Sequence, residues 1–281
     1  MTLLDRVRSC ADYNCEEFYP LLVDGNRVGQ VSARNVGNLT DFKSIFEFNR
    51  AEIHLRKNIR GFRHRSSAMR EVAEKLSSRG LISGWRNELY PVAHKFGVPA
   101  IFDIERAAVP FFGFRGYGVH INGWVKVGDD VHMWIGRRSY TKPTGAGELD
   151  QIVAGGLPSG INVMDNVIKE CQEEANIDAL MAKQAVPVGT VSYKTKRKEG
   201  LRNDVLFNYD LCLPLDFKPI NMDGEVEEFM LWPISKVLRE VAKEGVFKFN
   251  SALVIIDFLV RHGFIESDCP GYTEIISGLH C

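Results

Sequence analysis

Between residues 154 and 177 the chain reads Ala-Gly-Gly-Leu-Pro-Ser-Gly-Ile-Asn-Val-Met-Asp-Asn-Val-Ile-Lys-Glu-Cys-Gln-Glu-Glu-Ala-Asn-Ile, a glycine-rich loop running into an amphipathic helix. At about 100° per residue, Glu170, Glu173 and Glu174 fall within roughly a 100° sector, because spacings of three and four residues share a helical face. Met164, Val167, Ile168, Cys171 and Ala175 form an apolar stripe centred about 120° from the acids. A helix of this kind must lie on a hydrophobic layer with its acids along one edge. Like charges on one helical face destabilise the helix, and carboxylates disfavour one another's ionisation. The cluster therefore makes best sense with a divalent cation among its oxygens. Mg²⁺ suits such hard ligands, with Mn²⁺ the alternative. The plainer reading is a solvated acidic face.

The rest of the chain is long enough for two compact units. At 281 residues, with 45% apolar and 25% charged residues and a net charge of -1, it has the composition of an ordinary globular protein. Apolar stretches such as Leu253–Val260 fall well short of the roughly 20 residues that span a bilayer, and no basic region followed by an apolar run marks the chain for export. The six cysteines form no C-x-x-C pair and no metal-ligand spacing. They are expected to be reduced, in a cytoplasmic protein with neither a membrane nor a nucleic acid as partner. The basic stretch Leu55–Arg70 is expected to be solvated surface.

Tyr19–Val23 and Arg27–Val31, separated by Asp24-Gly25, predict a hairpin. From Ser66 or Ser67 to Ser78, the spacing of Ala68, Met69, Val72, Ala73 and Leu76 predicts a helix covering it, with Gly80 as its stop. The pattern turns glycine-rich and aromatic after Pro99, which places a domain boundary near residue 108: a companion unit over 1–108 and a catalytic unit over 109–281. Strands are expected at Val119–Val127 and Val131–Ile135 before the acidic helix. After it, strands are expected at Val186–Tyr193, Val205–Leu213 and Val226–Trp232, then two helices ended by Gly245 and Gly263.

The stretch from Gly155 or Gly156 to Ile177 resembles the box of the Nudix hydrolase family, in which a glycine-rich loop containing a glutamate leads to Arg-Glu-aliphatic-x-Glu-Glu-x-Gly-aliphatic. Glu170, Glu173 and Glu174 stand at the positions of the family's metal ligands. Three departures stand out. Lys169 replaces the arginine, Asn176 replaces the later glycine, and the loop glutamate is missing, which is best read as a one-residue shortening between Gly156 and Gly160. The resemblance implies an α+β fold: a Nudix α/β/α sandwich with a mixed sheet, preceded by a small α/β domain.

Tyr117–Val125, Trp134–Ser139, Lys142-Pro-Thr and Leu149–Gly156 are similar to the Nudix branch associated with thiamine pyrophosphokinase, as are Gly80–Val92, Asp223–Phe229 and Phe247–Asn250. That resemblance implies Mg²⁺-dependent removal of the terminal phosphate from thiamine diphosphate or its oxo and oxy forms. The expected catalytic residues are Lys169, Glu173 and Glu174, with Glu225 and Glu227 as bases from outside the box, on the same side of a strand by alternation. Arg137, Arg138 and Lys142 are the expected phosphate ligands, with Gly155 and Gly156 in the binding loop. Trp124, Trp134 and Tyr193 are expected in the core. Hydrolysis of a nucleoside diphosphate derivative such as ADP-ribose, and a non-catalytic diphosphate-binding module, are the alternatives. An isomerase of isopentenyl diphosphate type lacks its cysteine, since none occurs between Cys15 and Cys171. The role of Trp85–Tyr90 stays open between capping the site, joining a second copy into a homodimer, and plain packing.

Overall fold

The computed structural model describes residues 2–280. Helix α1 (Leu3–Arg8) opens with a reciprocal cap: the Thr2 hydroxyl accepts from the Asp5 N–H, and the Asp5 carboxylate accepts from the Thr2 N–H. Strands β1 (Phe18–Val23) and β2 (Asn26–Ser32) pair antiparallel across Asp24-Gly25. Their φ values of 51° and 80° have the sign that a tight two-residue hairpin turn requires. Helix α2 (Ala33–Val36) leads to β3 (Phe46–Phe48) and β4 (Ile53–Leu55), completing a sheet ordered β2-β1-β4-β3.

Helix α3 (Phe62–Ser78) belongs to the same core: Ala68, Met69, Val72, Ala73 and Leu76 are buried in one cluster with Leu21, Val31 and Ile53. It begins before the periodicity shows it, because no buried side chain precedes Ala68 to leave a signal. A second hairpin, β5 (Leu89–Val92) with β6 (Phe102–Glu105), and the short α4 (Val109–Phe112) follow.

The cores do not divide at residue 108. Phe111, Phe112 and Phe114 still pack in the N-terminal core. At the other end, Val7 and Cys10 pack with Ile255, Leu259 and Ile275, and Arg6 donates to the Phe247 carbonyl at 2.5 Å, so the first ten residues belong with the C-terminal core. Contacts distant in sequence decide both, and composition does not report them.

The second sheet has seven strands: β7 (Arg115–Val127), β8 (Asp130–Arg138), β9 (Leu149–Gln151), β10 (Val153–Gly156), β11 (Val186–Arg197), β12 (Gly200–Cys212) and β13 (Val226–Pro233). The main path is β11-β12-β7-β8-β13, with β12 parallel to β7 and the other pairings antiparallel. β7 and β8 pair only over Trp124–Val127 with Asp130–Met133. Where they part, β10 pairs with β7 and β9 with β8, which sets Gly155 and Gly156 in the gap between the central strands.

Helices α5 (Val163–Ala175) and α6 (Ala179–Ala182) lie on one face; α7 (Ile234–Val241), α8 (Phe249–Arg261) and α9 (Tyr272–Gly278) lie on the other. Val119, Ile121 and Val125 pack against Val167 and Cys171, while Met133, Ile135 and Leu206 pack against Leu253 and Ile256. The result is the α+β architecture expected, an α/β/α sandwich on a mixed sheet preceded by a smaller α/β unit.

Polar groups buried on the α8 side are tied to one another. Gln151 Nε2 donates to the Ser251 carbonyl at 2.8 Å, which leaves its Oε1 to accept from His120 Nδ1, also at 2.8 Å. Burial pushes the His120 pKa down to about 4. An unfolded chain's imidazole takes up its proton near pH ~6.5. Between the two values the unfolded state binds the extra proton, so stability falls as pH is lowered through that window. The loss is at most about 1.4 kcal/mol per pH unit. Urea unfolding at about pH 5 and about pH 7 is expected to show this slope, and His120→Gln to remove it; an unchanged slope would leave His120 out of the acid response.

Candidate active site

Helix α5 is the frame of the site. Asn162 caps it by accepting from the Asp165 N–H at 2.9 Å. Asn176 ends it in the left-handed conformation, with φ 53° and ψ 36°. Asparagine is the side chain that best tolerates that conformation after glycine, so the departure from the family's glycine keeps the helix stop. With Val167, Cys171 and Ala175 in the core, Glu170 and Glu174 come to the edge beside β10 and are buried, while Glu173 is exposed.

The two loop glycines act by what they lack. A Cβ on Gly155 would overlap the Glu170 carboxyl, and one on Gly156 would overlap the Tyr90 hydroxyl and lie 3.3 Å from Arg106 Cζ. Gly155 thus admits a carboxylate, and Gly156 admits the N-terminal unit. The Ala154 N–H donates to Glu174 Oε2 at 2.8 Å, and Asn166 Nδ2 donates to the Gly156 carbonyl at 2.8 Å.

Burial raises the Glu174 pKa well above the usual carboxylate range, and the charge of Glu170 adds to the effect. Burial raises Glu170 as well, against the pull of Lys169. The Lys169 ammonium lies 3.0 Å from Glu170 Oε1 and 2.8 Å from Glu173 Oε2. The three acids are therefore not gathered at one point, and among the described residues no three His, Cys, Asp or Glu side chains form a ready-made metal cage. The donor set still suits a hard cation: Glu170 and Glu174 are buried carboxylates one helical turn apart, and burying two such groups is costly without positive charge between them.

A cleft beside Glu174 is lined by Gly136, Arg138, Asp150, Gln151, Glu225 and Val226. Lys142 pairs with Glu225 and, against the raising effect of burial, holds that carboxyl below its usual range. Arg138 is engaged internally, donating to the Thr144 and Gly145 carbonyls and to Asp150 Oδ2 at 2.8 Å. Arg137 donates to Glu228 at 2.6 Å and to the Gly147 carbonyl at 3.0 Å. Both arginines thereby hold the loop 139–148 against the sheet.

Strand alternation does not carry through Glu225–Glu228. The register shifts between Val226 and Glu228, leaving Glu227 exposed in a bulge, outside the cleft that Glu225 lines. Trp134 and Tyr193 are buried in the core, and Trp124 packs edge-on to His262 at 6.1 Å between ring centroids.

The N-terminal unit supplies what sequence reasoning did not place. The Ser159 N–H donates to the Leu89 carbonyl at 2.8 Å and its hydroxyl to Asp103 at 2.9 Å, so the box loop is docked on the β5-β6 hairpin. Arg106 pairs with Glu88 at 2.7 Å and stacks on the Tyr90 ring at 5.5 Å. The shortened loop, missing its glutamate, is thus supported from another unit. The aromatic and charged run Trp85–Tyr90 was the one signal of it in the sequence.

The whole chain has relatives. It is 45% identical over 261 residues to "Nudix hydrolase 24, chloroplastic" of Arabidopsis thaliana, a match covering 92% of this chain and 72% of that protein. The chain belongs to the Nudix hydrolase family. A second Arabidopsis thaliana relative, "Nudix hydrolase 20, chloroplastic", is 43% identical over 272 residues, covering 94% of this Nudix hydrolase and 73% of the relative. Residues 2–116 match a domain of unknown function, DUF4743. Among solved structures, the NUDIX domain of Shewanella oneidensis NrtR complexed with ADP ribose is similar at a TM-score of 0.43 and 13% identity, covering 54% of this chain and 90% of that one.

Membership makes this chain a hydrolase acting on diphosphates. The cytoplasmic expectation is overturned, because both Arabidopsis relatives are named chloroplastic. It rested on the cysteine pattern, which does not tell one reducing compartment from another. Among the described residues no helix is long and apolar enough to cross a membrane.

Proposed function

We propose that this Nudix hydrolase removes the terminal phosphate of thiamine diphosphate, or of its oxo and oxy forms, with Mg²⁺ as the working cation and Mn²⁺ as the alternative. The observation that carries the diphosphate chemistry is the pair of buried carboxylates, Glu170 and Glu174, held against a glycine-rich strand end. The thiamine-type substrate is supported by the resemblance along the whole chain, including Gly80–Val92, which lies against the box loop.

Glu170 and Glu174 would hold the cation, with Glu173 as the third ligand. When bound, the cation polarises the diphosphate and lowers the pKa of the attacking water. Lys169 balances the acidic face, bridging Glu170 and Glu173. A carboxylate facing the cleft accepts the water's proton. Of the expected bases Glu174 and Glu225 line that cleft, whereas Glu173, exposed and paired with Lys169, and Glu227, exposed in its bulge, do not. Lys142 orients Glu225. Arg137 and Arg138 keep the loop that carries Lys142 in place, an indirect role in substrate binding.

Steady-state assays on thiamine diphosphate, its oxo and oxy analogues, ADP-ribose and isopentenyl diphosphate, each with Mg²⁺ and with chelator, test the reading. A chelator-sensitive kcat/KM for a thiamine-type diphosphate about tenfold or more above that for ADP-ribose is the expected result. A preference for ADP-ribose would overturn the substrate assignment. No chelator-sensitive turnover on any compound would reduce the chain to a diphosphate-binding module.

A further inference from the structure

Resting on the diphosphate reading above, we propose that the N-terminal unit completes the substrate site and that Arg86 binds the terminal phosphate. The segment bearing Arg86 crosses from one side of the site to the other. At one end a Cβ on Gly84 would touch Pro143, the neighbour of Lys142, whose ammonium pairs with Glu225. At the other end the Leu89 carbonyl accepts from Ser159 in the box loop, and the Tyr90 hydroxyl sits against Gly156. Arg86 is held between these two anchor points.

Its backbone is fixed. The Arg86 N–H donates at 2.9 Å to Glu105 Oε1, a buried carboxylate, and the Arg106 N–H donates to the Glu88 carbonyl at 2.8 Å. The guanidinium, by contrast, makes no hydrogen bond or ion pair at contact distance among the described residues, although it is half-buried. The charges that act on it most strongly are those of Arg106, Glu225 and Glu88.

The charge of Arg106 acts against that of Arg86, and among the described residues the Glu88 carboxylate pairs with Arg106 and not with Arg86. An anion between them relieves the repulsion, and the planar fork of arginine matches phosphate oxygens bidentately. Arg106, fixed by Glu88 and Tyr90, is the positioning residue beside it. Arg86 takes the place as phosphate ligand of Arg137 and Arg138, whose guanidinium groups are engaged within the chain.

The test is Arg86→Gln and Arg86→Lys in the full chain. Kinetics use the best diphosphate of the panel, and calorimetry uses methylenediphosphonate as a non-hydrolysable probe. Arg86→Gln is expected to lower kcat/KM and to weaken probe binding about tenfold or more, with an unchanged melting temperature; Arg86→Lys recovers part of the affinity. Wild-type kcat/KM and probe affinity in Arg86→Gln would overturn the inference and leave the hydrolase reading intact. So would a fall in melting temperature and kcat at constant probe affinity, the mark of a purely structural residue. A wild-type protein that turns over no diphosphate would overturn both.

Discussion

Glu174→Gln is expected to lower turnover of the diphosphate substrate at least about 100-fold, because metal-centred stabilisation of developing charge is of that size. The substitution keeps the shape of the side chain. Its remaining carbonyl oxygen can still accept from the Ala154 N–H, so the end of β10 stays in place. What disappears is a buried negative charge that burial and Glu170 already disfavour. The metal-free variant should therefore keep its melting temperature while losing its response to added Mg²⁺. Turnover, thermal melting with and without Mg²⁺, and far-UV circular dichroism read these effects. A folded variant with the wild-type rate would remove Glu174 from the mechanism.

Gly156→Ala should destabilise the protein by about 1–3 kcal/mol, the usual cost of forcing extra atoms into a packed site. In a chain of this size that corresponds to about 2–4 °C of melting temperature for each kcal/mol. The new methyl group would overlap the Tyr90 hydroxyl, which the N-terminal unit places against the strand end. Since Gly156 also accepts the Asn166 side chain at the start of α5, activity should fall with stability. Tyr90→Phe removes the nearest clashing atom, so the double variant should regain part of the lost stability. Additive effects of the two substitutions would mean that the units do not meet there.

Much of the fold was legible from local pattern. Asp24-Gly25 announced the first hairpin because two successive left-handed residues have few other uses. The stripes Ala68–Leu76 and Met164–Ala175 announced α3 and α5 because a helix buries one face at its own period. The β5-β6 hairpin was not legible. Its strands are four residues long and contain Pro91, so alternation is too short to register. The parallel pairing of β12 with β7 joins residues some ninety positions apart and leaves no local trace.

Within the site, the sequence by itself determined which acids share a helical edge, since a 3.6-residue period sets Glu170 and Glu174 on one side whatever surrounds them. It also determined that the loop before them must be glycine-rich. Only the tertiary structure decided which cations remain for a substrate. Arg137 and Arg138 precede the box in sequence, yet Glu228, Asp150 and loop carbonyls take up their guanidinium groups. Arg86, from the other unit, is the one whose guanidinium makes no ion pair among the described residues, while Arg106 is held by Glu88. The physical reason is that periodicity is a property of a segment, whereas the partner of a long charged side chain is settled by whatever else the fold brings within about 3 Å of it.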